Sequence, residues 1–107
     1  MNVNQRIRSI LDLHPVVLFM KGTPQFPMCG FSSRAVKALQ QVDAGFYAVN
    51  VQDDPELRAG LPRFANCPTF PQLYVHGELI GGCDIVLDLH ASGELARLVR
   101  EAHKADA

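Results

Sequence analysis

Apolar residues recur along the chain with two spacings, one helical and one strand-like. Ile7, Ile10 and Leu11 fall at helical spacing, and the His14-Pro15 pair predicts the end of that first helix. Val16 to Met20 is a continuous apolar run with β-branched members, which favours a buried strand. The chain therefore opens with a predicted helix followed by a predicted strand.

A proline-rich segment and a second helical pattern follow. Lys21 to Met28 is predicted to be a loop, because its prolines suit neither a helix nor a central strand. A helix is expected from Cys29 or Gly30, and Ala44-Gly45 provides its stop. Its apolar stripe consists of Phe31, Ala35, Ala38, Leu39 and Val42.

The second half of the chain predicts a strand, a short helix, a β-hairpin and a final helical region. Asp54-Pro55 places an N-cap before a proline at the first helical position. A strand is predicted at 46–51, and a helix from 54–55 to about 64. Two strands, at 72–75 and 78–80, are predicted around a His76-Gly77 turn. After Gly81-Gly82 the chain is predicted to be helical as far as Ala107, with an interruption near Ser92-Gly93.

This order predicts an α/β fold in one domain over residues 1–107. The first part of the chain implies a parallel strand pair with a right-handed crossover, and the hairpin implies antiparallel strands. A four-stranded mixed sheet with helices on both faces fits both.

Composition narrows the function classes. Hydrophobic residues make up 48% and charged residues 20% of the chain, which is an ordinary globular balance. The net charge of -1 argues against a nucleic-acid binder or a polybasic membrane anchor. The apolar runs are far shorter than the roughly 20 residues that span a bilayer. We therefore expect a small protein that binds neither nucleic acid nor membrane.

Cysteine usage points to a reducing compartment. The three cysteines, Cys29, Cys67 and Cys83, do not suit a secreted disulfide framework, which favours an even number. The first residues lack the apolar core of a signal peptide, and the first predicted strand follows too soon for a transit peptide. A cytoplasmic location is the expectation.

Cys29 is the main candidate for chemistry, because it stands where a loop ends and a helix begins. Free N–H groups and the positive helix end stabilise a thiolate there, and Lys21 adds a positive charge. Ser32 stands three residues later, where a dithiol enzyme has its resolving cysteine, and a hydroxyl cannot close a disulfide. From position alone, Cys29 could equally be a small capping residue.

Several further motifs accompany this thiol in a fixed order. They are Lys21-Gly22-Thr23-Pro24, Pro27, Cys29-Gly30-Phe31-Ser32, Pro68-Thr69-Phe70-Pro71-Gln72-Leu73-Tyr74-Val75 and Gly81-Gly82-Cys83-Asp84-Ile85-Val86. Together they resemble the monothiol (CGFS-type) glutaredoxins of the single-domain bacterial kind over almost the whole chain. The resemblance implies a thioredoxin fold, in agreement with the predicted order of strands and helices.

The resemblance also implies roles for individual residues. Cys29 would be both the active thiol and the iron ligand. Lys21 and Arg58 would bind the glycine carboxylate of glutathione, for which a cation is required. Phe70 would present its backbone to the glutathione cysteine, just before Pro71, the expected cis-proline.

The same resemblance assigns the γ-glutamyl end of glutathione to residues that follow the predicted hairpin. The N–H groups of Cys83 and Asp84 would bind the γ-glutamyl carboxylate, and the Asp84 carboxylate would bind the ammonium group. Without the resemblance, Lys21 and Arg58 would be ordinary surface charges and Asp84 a plain N-cap. One position departs from the family pattern, because Cys67 stands where tryptophan is common, and we expect it to be a semi-buried packing residue.

Three functions remain open. A [2Fe–2S] cluster wants four thiolate-type ligands, so two chains and two glutathione thiols would make a cluster-bridged homodimer that serves acceptor proteins. The resemblance adds BolA-like proteins as partners. The alternatives are glutathione-dependent reduction of mixed disulfides through Cys29, and a redox sensor with a Cys29–Cys83 disulfide. The expected order of thiol reactivity is Cys29, then Cys83, then Cys67.

Overall fold

The computed structural model describes residues 1–105, in which the helices and strands follow the predicted order. The predicted helix end at Ala107 lies outside the described residues. The elements are α1 (Val3–Leu13), β1 (Val16–Met20), α2 (Gly30–Gln41), β2 (Tyr47–Asn50), a 3-10 turn (Val51–Asp53), α3 (Pro55–Ala65), β3 (Gln72–Val75), β4 (Glu78–Gly81), α4 (Cys83–Ser92) and α5 (Glu94–Ala105).

The four strands form one mixed sheet in the order β2-β1-β3-β4. β1 pairs parallel with β2, with Leu18 opposite Ala48, and antiparallel with β3, with Leu18 opposite Leu73. β3 and β4 are antiparallel neighbours joined by the His76-Gly77 turn. The mixed sheet expected from the sequence is therefore confirmed.

Alternation along β1 divides the interior into two cores. Val16, Leu18 and Met20 belong to the core that includes residues of α2, α4 and α5. Val17 and Phe19 belong to the core that includes residues of α1 and α3. Because successive strand residues face opposite sides, one buried strand supports helices on both faces of the sheet.

The start of α3 is fixed as the sequence predicts. The Asp54 carboxylate accepts a hydrogen bond from the Leu57 N–H at 3.2 Å, and Pro55 occupies the first turn. The Arg6 guanidinium of α1 pairs with Asp54 and Glu56. It holds the pKa of the Asp54 carboxyl below its usual range, so α1 and the start of α3 are held together.

Two boundaries differ from or refine the expectation. The predicted strand 46–51 is only Tyr47–Asn50, because the Asn50 side chain accepts the Gln52 N–H at 3.0 Å and caps a 3-10 turn. The predicted break near Ser92-Gly93 is confirmed, and Gly93 ends α4 with a left-handed φ of 85°. Within residues 1–105, no helix is long and apolar enough to cross a membrane.

Candidate functional site

The loop between β1 and α2 folds back on itself. The Met28 N–H donates to the Lys21 carbonyl at 2.9 Å, and Thr23 and Phe26 exchange backbone hydrogen bonds of 3.1 and 3.2 Å. Gly22 adopts a φ of 94°, and a Cβ there would lie 2.5 Å from the Phe26 carbonyl oxygen. Only glycine fits this close approach. The fold-back brings the start of α2 beside the end of β1.

Two side chains anchor this loop to its surroundings. The fully buried Ser32 hydroxyl accepts a hydrogen bond from the Lys21 N–H at 3.2 Å. The Asn50 side chain accepts one from the Gly22 N–H at 2.9 Å. Lys21 is thus fixed next to the first turn of α2, which begins directly after Cys29.

Cys29 is the N-cap of α2 and is half-buried. The backbone N–H of Ser32 is the main cause that lowers the pKa of its thiol, and the Phe31 N–H, the Lys21 charge and the Ser32 hydroxyl act in the same direction. Partial burial opposes them. These are the groups expected to stabilise a thiolate at a helix start. The prediction of a lowered pKa at Cys29 is confirmed.

Cys83 begins α4, but its surroundings differ from those of Cys29. It is buried, and burial raises the pKa of its thiol, with the Asp84 charge acting in the same direction. This direction is opposite to the activation that its helix start was expected to give, while the order of reactivity stays a prediction. Loss of contact with water outweighs the favourable helix end.

Cys67 is half-buried, as expected of a packing residue. Its thiol faces the Thr69 carbonyl oxygen at 3.8 Å. The amide of Gln72 donates to the carbonyls of Cys67 and Thr69 at 3.0 and 3.3 Å, and the Tyr74 hydroxyl donates to Gln72 at 3.0 Å. Gln72 therefore orders the segment 67–69, a role that sequence reasoning missed, although a polar residue at the start of a buried strand was a usable signal.

All six residues predicted for the site line a single cleft of about 710 Å³. They are Lys21, Cys29, Arg58, Phe70, Cys83 and Asp84. They come from the loop between β1 and α2, from α3, from the segment before β3 and from α4, so the fold alone brings them together. The Phe70–Pro71 peptide bond is cis, as expected.

The charges of the cleft are available to a ligand. Lys21 and Arg58 take part in none of the ion pairs found among residues 1–105. The N-cap of α4 is Gly82, which has no side chain to bind the first N–H groups, and the exposed Asp84 lies beside them. The cleft thus combines two cations with free N–H groups and a carboxylate, a set that suits a small zwitterionic peptide.

One residue of the predicted α2 stripe lies elsewhere. Phe31 is exposed at the rim of the cleft, whereas Ser32 and Val36 are buried in its place. The turn of α2 that begins at Cys29 therefore directs an aromatic ring toward solvent beside the thiol. In the part of the chain that the structure describes, no three His, Cys, Asp or Glu side chains are grouped so that they could hold a metal ion.

Comparisons with known proteins agree with the architecture of this cleft. The family model described as Glutaredoxin matches residues 16–80. Glutaredoxin 4 of Haemophilus ducreyi is 50% identical over 101 residues, 94% of each chain. Glutaredoxin 4 of Escherichia coli K12 is 47% identical over 97 residues, 91% of this chain and 84% of that relative.

Solved structures resemble the whole fold. Reduced poplar apo GrxS14 in solution has a TM-score of 0.81 and 44% identity, over 94% of this chain and 93% of that one. A crystal structure of a buckwheat glutaredoxin–glutathione complex has a TM-score of 0.83 and 26% identity, over 94% and 90% of the two chains. The expected thioredoxin fold is confirmed by these matches.

Proposed function

This chain belongs to the glutaredoxin family and is similar to the monothiol glutaredoxin 4 proteins, and from that premise we propose that it binds glutathione and carries a [2Fe–2S] cluster. The cluster is cargo, which the protein delivers to acceptor proteins. The observation that carries this proposal is the half-buried Cys29 thiol, whose pKa is lowered, in a cleft with two unpaired cations. Ser32 offers no second thiol there.

Glutathione fits the cleft by charge. Its glycine carboxylate binds Lys21 and Arg58, and its γ-glutamyl end binds the N–H groups of Cys83 and Asp84 and the Asp84 carboxylate. Phe70 offers its backbone to the central cysteine. The buckwheat glutaredoxin of similar fold was solved as a glutathione complex, which supports this arrangement.

The cluster requires more thiols than one chain contributes. Cys29 supplies one ligand, a second copy supplies another, and the two glutathione thiols complete the four that a [2Fe–2S] cluster takes. A low pKa suits this role, because the thiolate is the form that binds iron. Because glutathione is held only by charges and hydrogen bonds, its sulfur can leave the cluster when an acceptor thiol arrives.

The partners follow from this exchange. We propose a cluster-bridged homodimer, iron–sulfur acceptor proteins that take the cluster, and a BolA-like protein that replaces one copy in a mixed complex. We also propose a cytoplasmic location, because three free thiols and reduced glutathione need a reducing compartment. No nucleic acid and no membrane take part.

A second function has support from the same thiol. The Cys29 thiolate can attack a glutathionylated protein, forming a Cys29–glutathione disulfide and releasing the protein thiolate. A second glutathione then attacks that disulfide, which yields glutathione disulfide and regenerates Cys29. The lowered pKa of Cys29 favours the first step. We propose that this activity is weak and that the loop before Cys29 shifts glutathione from the in-line geometry.

Anaerobic reconstitution with iron, sulfide and glutathione tests the main proposal. We expect a brown dimer with about one cluster per two chains, measured by absorption, iron content and size. Without a small thiol, the cluster should not form. A cluster that formed equally well without glutathione would contradict the proposed ligand set.

A further inference from the structure

A buried amide is bonded to one wall of the cleft. Gln72 and Ser32 are the buried polar side chains among residues 1–105, and Gln72 is fully buried at the start of β3. A buried amide destabilises a protein unless its donors and its acceptor are hydrogen-bonded. The partners of Gln72 therefore show what its burial achieves.

Both ends of this amide have partners. The Nε2 group of Gln72 donates to the carbonyl oxygens of Cys67 and Thr69 at 3.0 and 3.3 Å. Its Oε1 atom accepts from the Tyr74 hydroxyl at 3.0 Å. Because carbonyl oxygens only accept, the donor end of the amide must face them. Burial raises the pKa of Tyr74 to about 12, so at neutral pH its hydroxyl keeps the proton that it donates.

These bonds fix the direction of a peptide group in the cleft wall. Residues 67–70 line the cleft and belong to no helix or strand, so no regular ladder of hydrogen bonds holds them. The Thr69–Phe70 peptide bond is trans and planar, and its C=O and N–H therefore point in opposite directions. Since the Thr69 carbonyl is bonded to Gln72, the Phe70 N–H points away from Gln72. Among residues 1–105 this N–H has no hydrogen-bond acceptor.

We propose that Gln72 is a positioning residue for glutathione, which holds the Thr69–Phe70 peptide so that the Phe70 N–H meets the central residue of the bound tripeptide. Tyr74 holds Gln72 in turn. This inference rests on the proposed function, which gives the Phe70 backbone that contact. Gln72 is fully buried, so it acts through Phe70 and does not touch the ligand. A donor that is fixed before the ligand arrives costs less conformational entropy on binding.

The same bonds make the cleft wall independent of the side chain at position 67. Gln72 bonds the carbonyl of Cys67 and not its thiol, which faces the Thr69 carbonyl. The backbone path of residues 67–69 is therefore held through the main chain. A cysteine in place of the tryptophan that is common at position 67 leaves these bonds in place.

The test measures glutathione affinity in variants of the full chain by calorimetric titration. Gln72→Met has an unbranched side chain without a hydrogen-bond donor. Gln72→Glu is the conservative variant, and at pH 5 its carboxyl group is protonated, because burial raises the pKa of a carboxyl, so that it donates to one carbonyl. Gln40→Met, at an exposed position of α2, is the matched control. Circular dichroism checks that each variant is folded.

Gln72→Met should bind glutathione roughly tenfold more weakly than wild type, which corresponds to about 1.4 kcal/mol. Gln72→Glu at pH 5 should bind within about threefold of wild type at the same pH, because one of the two bonds to the carbonyls is kept. A role in packing alone would not produce this rescue. In amide NMR spectra with saturating glutathione, the Phe70 signal should shift in wild type and shift less in Gln72→Met. Gln40→Met should match wild type.

Unchanged affinity in Gln72→Met would overturn the inference while the proposed function stands. Equal losses in Gln72→Met and Gln72→Glu at pH 5 would also overturn it, because they would indicate an effect of packing. If both variants fail to fold, Tyr74→Phe decides, since it removes the hydroxyl and keeps the ring that packs edge-on against Phe19. Its affinity should fall about threefold, and an unchanged affinity would overturn the inference. Absence of glutathione binding by wild type would reject the proposed function itself.

Discussion

Cys29 and Cys83 stand at the starts of two helices that border the same cleft, yet their thiol pKa values shift in opposite directions. Cys29 precedes α2 as its N-cap, and N–H groups of the first turn lower its pKa. Cys83 is the first residue of α4, and burial raises its pKa. A helix N-terminus therefore accompanies one thiol with a lowered pKa and one with a raised pKa.

The difference shows what activates a thiol in this fold. A helix N-terminus lowers the pKa of a thiol where the N–H groups of the first turn lie near the sulfur and the sulfur keeps contact with water. Cys29 also has a cation nearby in Lys21, whereas Cys83 has the Asp84 carboxylate. The two helix starts thus have different roles. At α2 the sulfur is available to react, and at α4 the backbone is available to bind an anion.

Alkylation should separate the two thiols by the largest margin. At pH 7 we expect Cys29 to react with iodoacetamide on the order of 100-fold faster than Cys83, because the thiolate is the nucleophile and Cys83 is buried as well. The rate at Cys29 should rise at a pH below the ordinary cysteine value of about 8.5. Peptide mass spectrometry over a pH series measures both rates. Equal rates would remove the basis of the comparison.

Removal of the cations of the cleft should have the second-largest effect, which is to weaken glutathione binding. Lys21→Ala and Arg58→Ala should each cost about 1–3 kcal/mol, the loss expected for a hydrogen bond to a charged group. Calorimetric titration with glutathione measures this, and Lys37→Ala on the exposed side of α2 is the control. Unchanged affinity in both cleft variants would make these residues ordinary surface charges.

Ser32→Ala should sharpen the comparison, because it affects the surroundings of Cys29 and not those of Cys83. It removes the hydroxyl that lowers the pKa of Cys29 and that accepts the Lys21 N–H. We expect Cys29 to alkylate a few-fold more slowly at pH 7 while Cys83 stays unchanged. Ser33→Ala, in the same turn, should have no effect. A similar loss in both serine variants would indicate a general change in α2 rather than a lost hydrogen bond.

The dependence of stability on pH should differ slightly between wild type and Cys29→Ser. The folded pKa of Cys29 is depressed, so the native state loses its proton before the unfolded state does. Its contribution is complete above the unfolded pKa of about 8.5 and is lost as pH falls through the folded value. Urea unfolding measures the free energy of unfolding from pH 6 to 9. Over this range, the wild type should gain stability relative to the variant as the pH rises. Parallel curves of stability against pH would refute the depressed pKa.

The sequence predicts most of the fold because its local signals agree with one another. The apolar run at β1, the Asp54-Pro55 start of α3 and the break at Gly93 are each fixed by nearby residues. The prediction that Cys29 is activated also succeeds, because its causes lie within the first turn of α2 and the adjacent loop.

Two of the features that sequence reasoning missed depend on how the elements pack together. The burial of Cys83 depends on the elements that surround the start of α4, which no local pattern reveals. The exposure of Phe31 depends on how α2 leaves the loop, and apolar periodicity alone assigns such a ring to the core. The role of Gln72, by contrast, involves carbonyls only five and three residues away, and a polar residue at the start of a buried strand was the signal for it.

Loading of variants in which one cysteine is replaced tests most directly whether the thiol of Cys29 is the cluster ligand and the thiol of Cys83 is not. Cys29→Ser and Cys83→Ala would be reconstituted with iron, sulfide and glutathione, and iron per chain and dimer mass would be measured. We expect Cys29→Ser to remain colourless and monomeric, and Cys83→Ala to bind about one cluster per two chains, as wild type does. A stable cluster in Cys29→Ser, or its loss only in Cys83→Ala, would contradict the account.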